Sequence, residues 1–149
     1  MKIRFGKKKD IAEVLSVCAE LKDWFNEEGL KHIAIDLKYN HFYFAEEDKQ
    51  TASFICFTTY TGKILIHWMG VSPNHQRKGV GSKLLDKVIE FAQQNNIQYL
   101  HVETLPEEIE YKPYDYTRSF YYKNGFKRIH YLKAHIEGLD DQIVLEKKL

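Results

Sequence analysis

The stretch from residue 64 to residue 94 constrains the fold more than any other, because it predicts three elements in a fixed succession. Residues 64–71 are nearly continuously apolar, as in a strand that is buried on both faces. Pro73 and Asn74 end that run. Beyond Gly81, apolar residues return at the spacing of a helix face: Leu84, Leu85, Val88, Ile89 and Ala92. The chain therefore passes from a buried strand through a short loop into an amphipathic helix.

The loop between that strand and that helix reads Gln-Arg-Lys-Gly-Val-Gly over residues 76–81. Its two glycines allow the backbone to turn tightly and to approach a ligand. The start of a helix offers free N–H groups and the positive end of the helix dipole, and Arg77 and Lys78 add positive charge. This combination predicts a phosphate or pyrophosphate site, although a glycine-rich turn that binds nothing has the same residues. The loop fits neither the Walker A pattern nor the dinucleotide pattern G-x-G-x-x-G.

Gln-x-x-Gly-x-Gly after a strand that ends in Val71-Ser72-Pro73 resembles the acetyl-coenzyme A loop of the GNAT superfamily of N-acetyltransferases. The resemblance implies that successive N–H groups of the loop wrap the pyrophosphate of acetyl-CoA. It also implies that the pantetheine pairs with backbone near residues 69–71, and that the N–H of Val71 polarises the thioester carbonyl. The cofactor-binding residues expected on this basis are Met69, Val71, Gln76, Arg77, Lys78, Gly79, Val80, Gly81 and Ser82.

A second motif, Phe-Tyr-Tyr-Lys-Asn-Gly-Phe over residues 120–126, resembles the GNAT ending in which a tyrosine lies four residues before Gly-Phe. Tyr121 occupies that position. The resemblance implies that Tyr121 donates a proton to the departing thiolate, and a phenol with an ordinary pKa of about 10 can do so. The alternative is that Tyr121 is an aromatic core residue of an amphipathic helix.

One position departs from the family pattern. Many GNAT proteins carry an asparagine seven residues before the tyrosine, where it contacts the pantetheine, and this chain has Tyr114 there. Arg118 lies nearby and is included among the cofactor-binding candidates. Its side chain either reaches a phosphate or the pantetheine, or lies on the solvated face of the helix.

The general base is less well defined by the sequence. His67 lies on the central strand with the expected side-chain parity of Leu65 and Met69, and Glu103 ends the next strand. Either residue could accept the proton of an attacking amine, and either could instead be packed and hydrogen-bonded. His101 and Glu103 fit the H-x-E of zinc deaminases, but no P-C-x-x-C follows, so no metal site is predicted.

The pattern along the chain predicts an α/β (α+β) architecture. The predicted elements are a strand at 2–5, a helix from Ile11 to Phe25 with Asp10 as its cap, a short helix within 30–39, strands at 42–46, 52–59 and 64–71, the helix after Gly81, a strand at 99–104, an exposed loop at 105–116, a helix at 117–124, and strands at 127–136 and 142–147. This order resembles the GNAT fold. It implies a single domain over residues 1–149, with a mixed, mostly antiparallel sheet of about seven strands and about four flanking helices.

Charge and cysteine usage narrow the class of partner. Lys plus Arg number 22 against 21 acidic residues, which gives no argument for nucleic acid or an anionic membrane. No apolar run reaches the roughly 20 residues that span a bilayer, and residues 1–5 lack a signal-peptide core. Cys18 and Cys56 lie among apolar residues without C-x-x-C spacing, which is typical of reduced cysteines in a cytoplasmic protein. The sequence is compatible with both a monomer and a homodimer.

Three functions remain. The first is an N-acetyltransferase that moves an acetyl group from acetyl-CoA to a primary amine. The second is a GNAT-like module that binds acyl-CoA as a sensor, without turnover. The third is a nucleotide-binding domain of another kind, which the absent Walker and dinucleotide patterns disfavour. Tyr121 discriminates the first two, because a sensor does not need an acid there.

The acceptor would be a small-molecule or peptide amine. In the GNAT fold it approaches from the side opposite the cofactor. The aromatic residues expected to wall its pocket are Trp24, Phe25, Tyr39 and Tyr111. The alternative for Trp24 and Phe25 is that they continue the core-facing stripe of the first helix. The loop 105–116 carries four acidic residues, which either attract a cationic acceptor or form a solvated charge run. The fold does not name the acceptor.

Overall fold

The computed structural model describes residues 1–149 and contains one sheet of seven strands with helices on both faces. The strands are Lys2–Phe5 (β1), His41–Glu47 (β2), Gln50–Tyr60 (β3), Lys63–Val71 (β4), Tyr99–Thr104 (β5), Lys127–Leu132 (β6) and Gln142–Lys148 (β7). The helices are Ile11–Glu20 (α1), Glu27–Tyr39 (α2), Val80–Gln94 (α3) and Lys112–Lys123 (α4). The spatial order is β1-β2-β3-β4-β5-β7-β6, and only β4 and β5 are parallel. The predicted mixed, mostly antiparallel sheet with four helices is confirmed.

Two hydrophobic cores hold the helices against the sheet. The core under α3 and α4 includes Leu84, Leu85, Val88, Leu100, Tyr121, Phe126 and Leu145. The core under α1 and α2 includes Val14, Cys18, Ile33, Leu37, Phe44 and Phe54. Each fully buried large apolar side chain stabilises the fold by roughly 1.5–3 kcal/mol. The apolar spacing in the sequence therefore reports which face of each helix meets the sheet.

The two parallel strands at the centre of the sheet separate part-way along their length. Their pairing runs from Lys63 opposite Tyr99 to Ile66 opposite Val102 and stops there. Beyond that point, residues 67–71 of β4 have β3 on one side and no strand on the other. A gap therefore opens between the carboxyl ends of β4 and β5.

A β-bulge lies at His67, at the start of this gap. Phe57 of β3 pairs with Ile66, and the preceding residue, Cys56, pairs with Trp68, so that His67 is an extra residue in β4. Ile66 contributes to the core under α3 and α4, whereas Trp68 packs against the core under α1 and α2. The alternation of side chains therefore shifts by one position at the bulge.

The predicted parity of His67 with Leu65 and Met69 is wrong for this reason. Met69 and Val71 pack against the α3–α4 core. Strict alternation along an uninterrupted strand predicts Met69 on the α1–α2 face. The extra residue at the bulge reverses this, and it leaves no signal in the sequence.

Helix α1 ends at Glu20, five residues before the predicted end. Leu21 and Phe25 are still buried in the α1–α2 core, but they reach it from the connecting loop. The helical spacing of apolar residues therefore extends beyond the end of the helix. The loop residues pack on the same core and happen to continue that spacing.

The predicted cap of that helix acts differently, and a second helix follows. Asp10 forms no cap hydrogen bond to α1, and its carboxylate instead accepts a hydrogen bond of 2.8 Å from the N–H of Lys7. Gly29 lies in the first turn of α2, where its N–H donates to the side chain of Asn26 at 2.8 Å. Asn26 is thus the cap of a second helix, a contribution of about 1 kcal/mol.

Helix α4 begins at Lys112, so the predicted exposed loop at 105–116 is five residues too long. Pro113 lies in the first turn of α4, where a proline costs no hydrogen bond. Proline is typical of loops and equally typical of the first turn of a helix, so Pro113 does not by itself distinguish the two. Gly125, with φ +88°, follows the helix end as predicted. None of the four helices has the length and apolar character needed to cross a membrane.

The two cysteines are expected to be chemically inert in the folded protein. Cys18 and Cys56 are buried, and burial raises the pKa of each thiol to about 12. Since the thiolate is the reactive form, labelling by a disulfide reagent near pH 8 should be at least about 100-fold slower than after unfolding. Absorbance at 412 nm with Ellman's reagent, with and without guanidinium, measures this. Rapid labelling of the folded protein would contradict the burial.

Candidate active site

A groove of about 1610 Å³ opens where β4 and β5 separate. On one face of the sheet it lies between the start of α3 and α4, and on the other it reaches the loop after α1. Pockets for a single drug-sized ligand measure roughly 300–1,000 Å³. The groove therefore has room for two ligands that meet in the gap between the strands.

The loop before α3 carries a row of free backbone donors, and all of its residues from 76 to 82 except Lys78 line this groove. None of the N–H groups from Gln76 to Ser82 donates a hydrogen bond within the protein. Arg77 and Gly79 have positive φ, +61° and +78°, which turn successive peptide groups in the same direction. With the positive end of the α3 dipole behind them, these seven donors form a site for an anion with several oxygens.

Three side-chain contacts hold the loop in place. The Gln76 amide donates to the carbonyl oxygen of Val71 at 3.0 Å. His75 Nδ1 lies 2.7 Å from the Ser72 hydroxyl, and His75 Nε2 lies 2.6 Å from a carboxylate oxygen of Glu47. This Ser–His–acid arrangement has no signal in the sequence, because Glu47 comes from the distant end of β2. Ser72 is buried and does not line the groove, so the three residues brace the loop.

The unpaired edge of β4 points two more N–H groups into the gap. The N–H of Ser72 donates to the carbonyl of Ala52, on the β3 side. Because successive N–H groups of a strand point in opposite directions, those of Met69 and Val71 face the β5 side. No strand occupies that side beyond Ile66. An extended, amide-bearing ligand can therefore pair with β4 there.

Tyr121 lies at the base of the gap on the α3–α4 face. Its side chain is buried, and the nearest partner of its hydroxyl is the sulfur of Met69 at 3.9 Å. Burial raises the pKa of Tyr121 above its ordinary value, so the hydroxyl keeps its proton at neutral pH. The residue both contributes to the core and carries a nearly unpartnered donor into the groove.

Hydrogen bonds join the loop after α1 to the start of α4, and residues of both segments line the groove. The indole N–H of Trp24 lies 3.1 Å from the hydroxyl of Thr117 and 3.2 Å from the carbonyl of Pro113. The hydroxyl of Tyr111 donates to the carbonyl of Asp23 at 2.6 Å. We call residues 21–26 and 111–117 the bridge. Trp24 and Tyr111 line the groove, and their polar atoms also hold the bridge together.

The two base candidates both line the groove. His67 and Glu103 are exposed, and neither has a hydrogen-bond or ion-pair partner. His101 also lines the groove, with its Nε2 2.6 Å from a carboxylate oxygen of Glu146 on β7. His67 and Glu103 are the groups on these two strand ends that are free to take a proton.

Three predicted site residues have other surroundings. Arg118 is buried and does not line the groove; it donates to the carbonyl of Leu105 at 2.6 Å and pairs with Asp115. It therefore matches neither the phosphate contact nor the solvated face predicted for it, because its partners lie in the β5–α4 loop and in the first turn of α4. Tyr39 is 73 % exposed at the end of α2 and lies outside the groove, so its assignment to the pocket is wrong. Phe25 reaches the groove but is mainly a core residue against Trp68.

The structure adds residues that the sequence reasoning missed. Thr104 lines the groove with a buried hydroxyl that has no partner. Tyr114, Ser119, Phe120 and Lys123 line it from α4. No cluster of three or more potential metal ligands is present. Tyr114 could have been found by extending α4 backwards through Pro113, whereas Thr104 carries no local signal.

Comparison with known proteins agrees with this geometry. The sequence matches the model of the acetyltransferase (GNAT) domain family over residues 38–128. A structure described as a GNAT-family acetyltransferase from Desulfovibrio desulfuricans is 25% identical, with a TM-score of 0.84 and 99% of each chain covered. No curated protein matches the sequence at a significant level.

Two more distant structures share the fold. The ribosomal-protein-S18-alanine N-acetyltransferase from Escherichia coli is 15% identical, with a TM-score of 0.79 over 99% of this chain and 92% of that one. The PaiA N-acetyltransferase from Thermoplasma acidophilum, in complex with coenzyme A, is 20% identical, with a TM-score of 0.72 over the whole of both chains. Since the family model covers more than half of the sequence, this protein belongs to the GNAT acetyltransferases.

Proposed function

We propose that this protein transfers an acetyl group from acetyl-CoA to a primary amine, by direct attack of the amine on the thioester. The observation that carries the proposal is the row of seven free N–H groups at residues 76–82, placed beside an unpaired strand edge and a buried tyrosine hydroxyl. A pyrophosphate, a pantetheine amide and a departing thiolate need these three groups in this order.

The residues present fit acetyl-CoA on the α3–α4 face. The amides of residues 76–82 would hold the pyrophosphate, and Arg77 and Lys78 would add charge near it. The N–H groups of Met69 and Val71 would pair with the pantetheine as a neighbouring strand does. Lys123 lines the same face of the groove from α4 and is available to a further phosphate.

The chemical step requires one donor for each developing charge. The amine nitrogen attacks the carbonyl carbon, so that the C–N bond forms and the C–S bond to coenzyme A breaks. The N–H of Val71 would stabilise the carbonyl oxygen as it becomes negative. Tyr121 would give its proton to the sulfur, and Glu103 or His67 would accept the proton that the amine loses, directly or through water. Return of that proton to Tyr121 through solvent restores the enzyme.

Glu103 and His67 remain the two proposed bases, and the wall opposite the cofactor remains proposed for the acceptor. Trp24 and Tyr111 form that wall at the bridge. We also propose that residues 1–149 act as one domain, because one sheet spans them, and that the protein works in the cytoplasm, because its two buried thiols are free.

An acceptor screen tests the proposal. Acetyl-CoA and the protein are incubated with primary amines, amino acids and short peptides, and released thiol is read with Ellman's reagent. Turnover that depends on both the protein and the amine is expected, with an acetamide product of the correct mass. Tight acetyl-CoA binding without turnover on any amine would instead favour the sensor function.

A further inference from the structure

We propose that the acceptor carries a second positive charge in addition to the amine that is acetylated, as in an aliphatic diamine. The inference rests on the proposed transfer to an amine and concerns the groove wall opposite the cofactor. It follows from an account of every carboxylate near the groove, and of which carboxylates are already neutralised by the protein.

Three of the four acidic residues at 105–116, which first suggested a cationic acceptor, form ion pairs within the protein. Glu107 and Glu108 form ion pairs with Arg128 at 2.6 and 2.7 Å. Asp115 pairs with Arg118 at 2.5 Å. These pairs hold the loop against α4 and β6 and leave little negative charge for a ligand. None of these three carboxylates lines the groove.

A different set of carboxylates lines the groove and has no partner. Asp23 comes from the loop after α1, Glu103 from the end of β5, Glu110 from the β5–α4 loop, and Asp140 from the β6–β7 connection. None of these four carboxylates forms a hydrogen bond or an ion pair, and all four residues are exposed. Burial raises the pKa of the Tyr114 phenol, and Asp140 lies close enough to add to that shift. Four segments thus place unneutralised negative charge around one opening.

Three lysine and arginine residues line the groove. Arg77, in the loop at 76–82, and Lys123, at the end of α4, are the two proposed to meet the phosphates of acetyl-CoA. Lys22 lies in the bridge, next to Asp23. With acetyl-CoA bound, the four unpaired carboxylates would therefore face one remaining cation, and the wall left for the acceptor would be negatively charged. An anionic or neutral acceptor gains nothing from such a wall, whereas a second ammonium group is attracted to it.

One further feature favours an amine-bearing chain. Trp24 and Tyr111 supply aromatic surface beside Glu110, and such rings also attract ammonium groups. An aliphatic chain with an amine at each end can meet the aromatic wall, the carboxylates and the reacting centre at once.

Matched acceptors test the inference directly. The initial rates of thiol release are measured with 1,4-diaminobutane, 1-aminobutane and 4-aminobutanoic acid, which differ mainly in the charge at the far end. We expect kcat/KM to be at least about 10-fold higher for the diamine than for the monoamine, and lowest for the amino acid. Raising the salt concentration from about 0.05 to 0.5 M should shrink the preference, because the carboxylates are exposed.

Variants identify the wall. Glu110→Gln and Asp140→Asn should each reduce the ratio of diamine to monoamine kcat/KM by about 2- to 5-fold, and the double variant by about 5- to 20-fold. Glu137→Gln removes an equal charge from the same connection outside the groove and should leave the ratio unchanged. The assignment of the wall would be overturned if neither single variant of Glu110 or Asp140, nor the double variant, lowered this ratio below that of the wild type.

The outcomes separate this inference from the proposed function. If neutral or anionic amines, or uncharged peptides, are acetylated as efficiently as the diamine, the inference of a second positive charge on the acceptor is overturned. The proposed acetyl transfer to amines is then unaffected. Failure to acetylate any amine or peptide in the panel would overturn the proposed function, and the inference with it.

Discussion

Tyr121→Phe is expected to lower kcat by about 10- to 10⁴-fold, the range of general acid catalysis. The substitution removes only a hydroxyl whose one partner is the Met69 sulfur at 3.9 Å, so the packing and the acetyl-CoA affinity should change little. Steady-state kinetics with a turned-over amine and calorimetry with acetyl-CoA measure the two quantities. Since burial raises the pKa of Tyr121, the wild-type acid should stay protonated up to at least about pH 9, and an earlier alkaline loss of activity should come from another group.

Tyr122→Phe is the matched control for that variant. Tyr122 is the next residue, but its hydroxyl donates to Glu107 outside the groove. Its loss should leave kcat within about 2-fold of the wild type. Full activity of Tyr121→Phe on the same amine would remove the acid role and leave Tyr121 as a core residue.

Gly79→Asp is expected to weaken acetyl-CoA binding by about 10- to 50-fold, because a carboxylate enters the row of N–H groups that would hold the pyrophosphate. A Cβ at Gly79 meets no atom within 4 Å, so the space is open. The φ of +78° strains most residues, but aspartate and asparagine tolerate it. Calorimetry on folded protein gives the Kd.

Gly79→Asn separates charge from backbone strain. It has the shape and the tolerance for positive φ of the aspartate variant without its charge, and should weaken binding by no more than about 3-fold. Equal affinities of the two variants would argue against a phosphate at this loop. Gly81 is a poor test position, since a Cβ there would lie 2.9 Å from Met69 and 3.1 Å from Phe120 and would disturb packing.

The motifs were predictable because they are local. The phosphate loop places its glycines, its helix start and its basic residues within six positions, and Tyr121 follows from its spacing to Gly125-Phe126. The strand at 99–104 was predicted to the residue. In each case the physical requirement, a tight turn or an alternating buried face, is met by residues adjacent in the chain.

The remaining site residues depend on contacts between distant segments. Asp23 and Tyr111 are 88 positions apart in the sequence, and no residue pattern in either segment predicts their contact. Tyr39 was assigned to the pocket for its residue type, whereas Tyr114 reaches the groove because α4 starts earlier than its proline suggested. The bulge at His67 likewise follows from the pairing of β4 with β3, which a single strand does not reveal.

The bridge joins two segments that border the gap between β4 and β5 from opposite faces of the sheet. The paired residues Ile66 and Val102 mark where the gap begins, and the hydrogen bonds of Trp24 and Tyr111 join the loop after α1 to the start of α4. An acceptor that arrives from the face opposite the cofactor, as proposed, has to bring its nitrogen to the thioester between these two borders. We therefore expect the shape of the acceptor close to that nitrogen to limit its use more than the size of the rest of the molecule does.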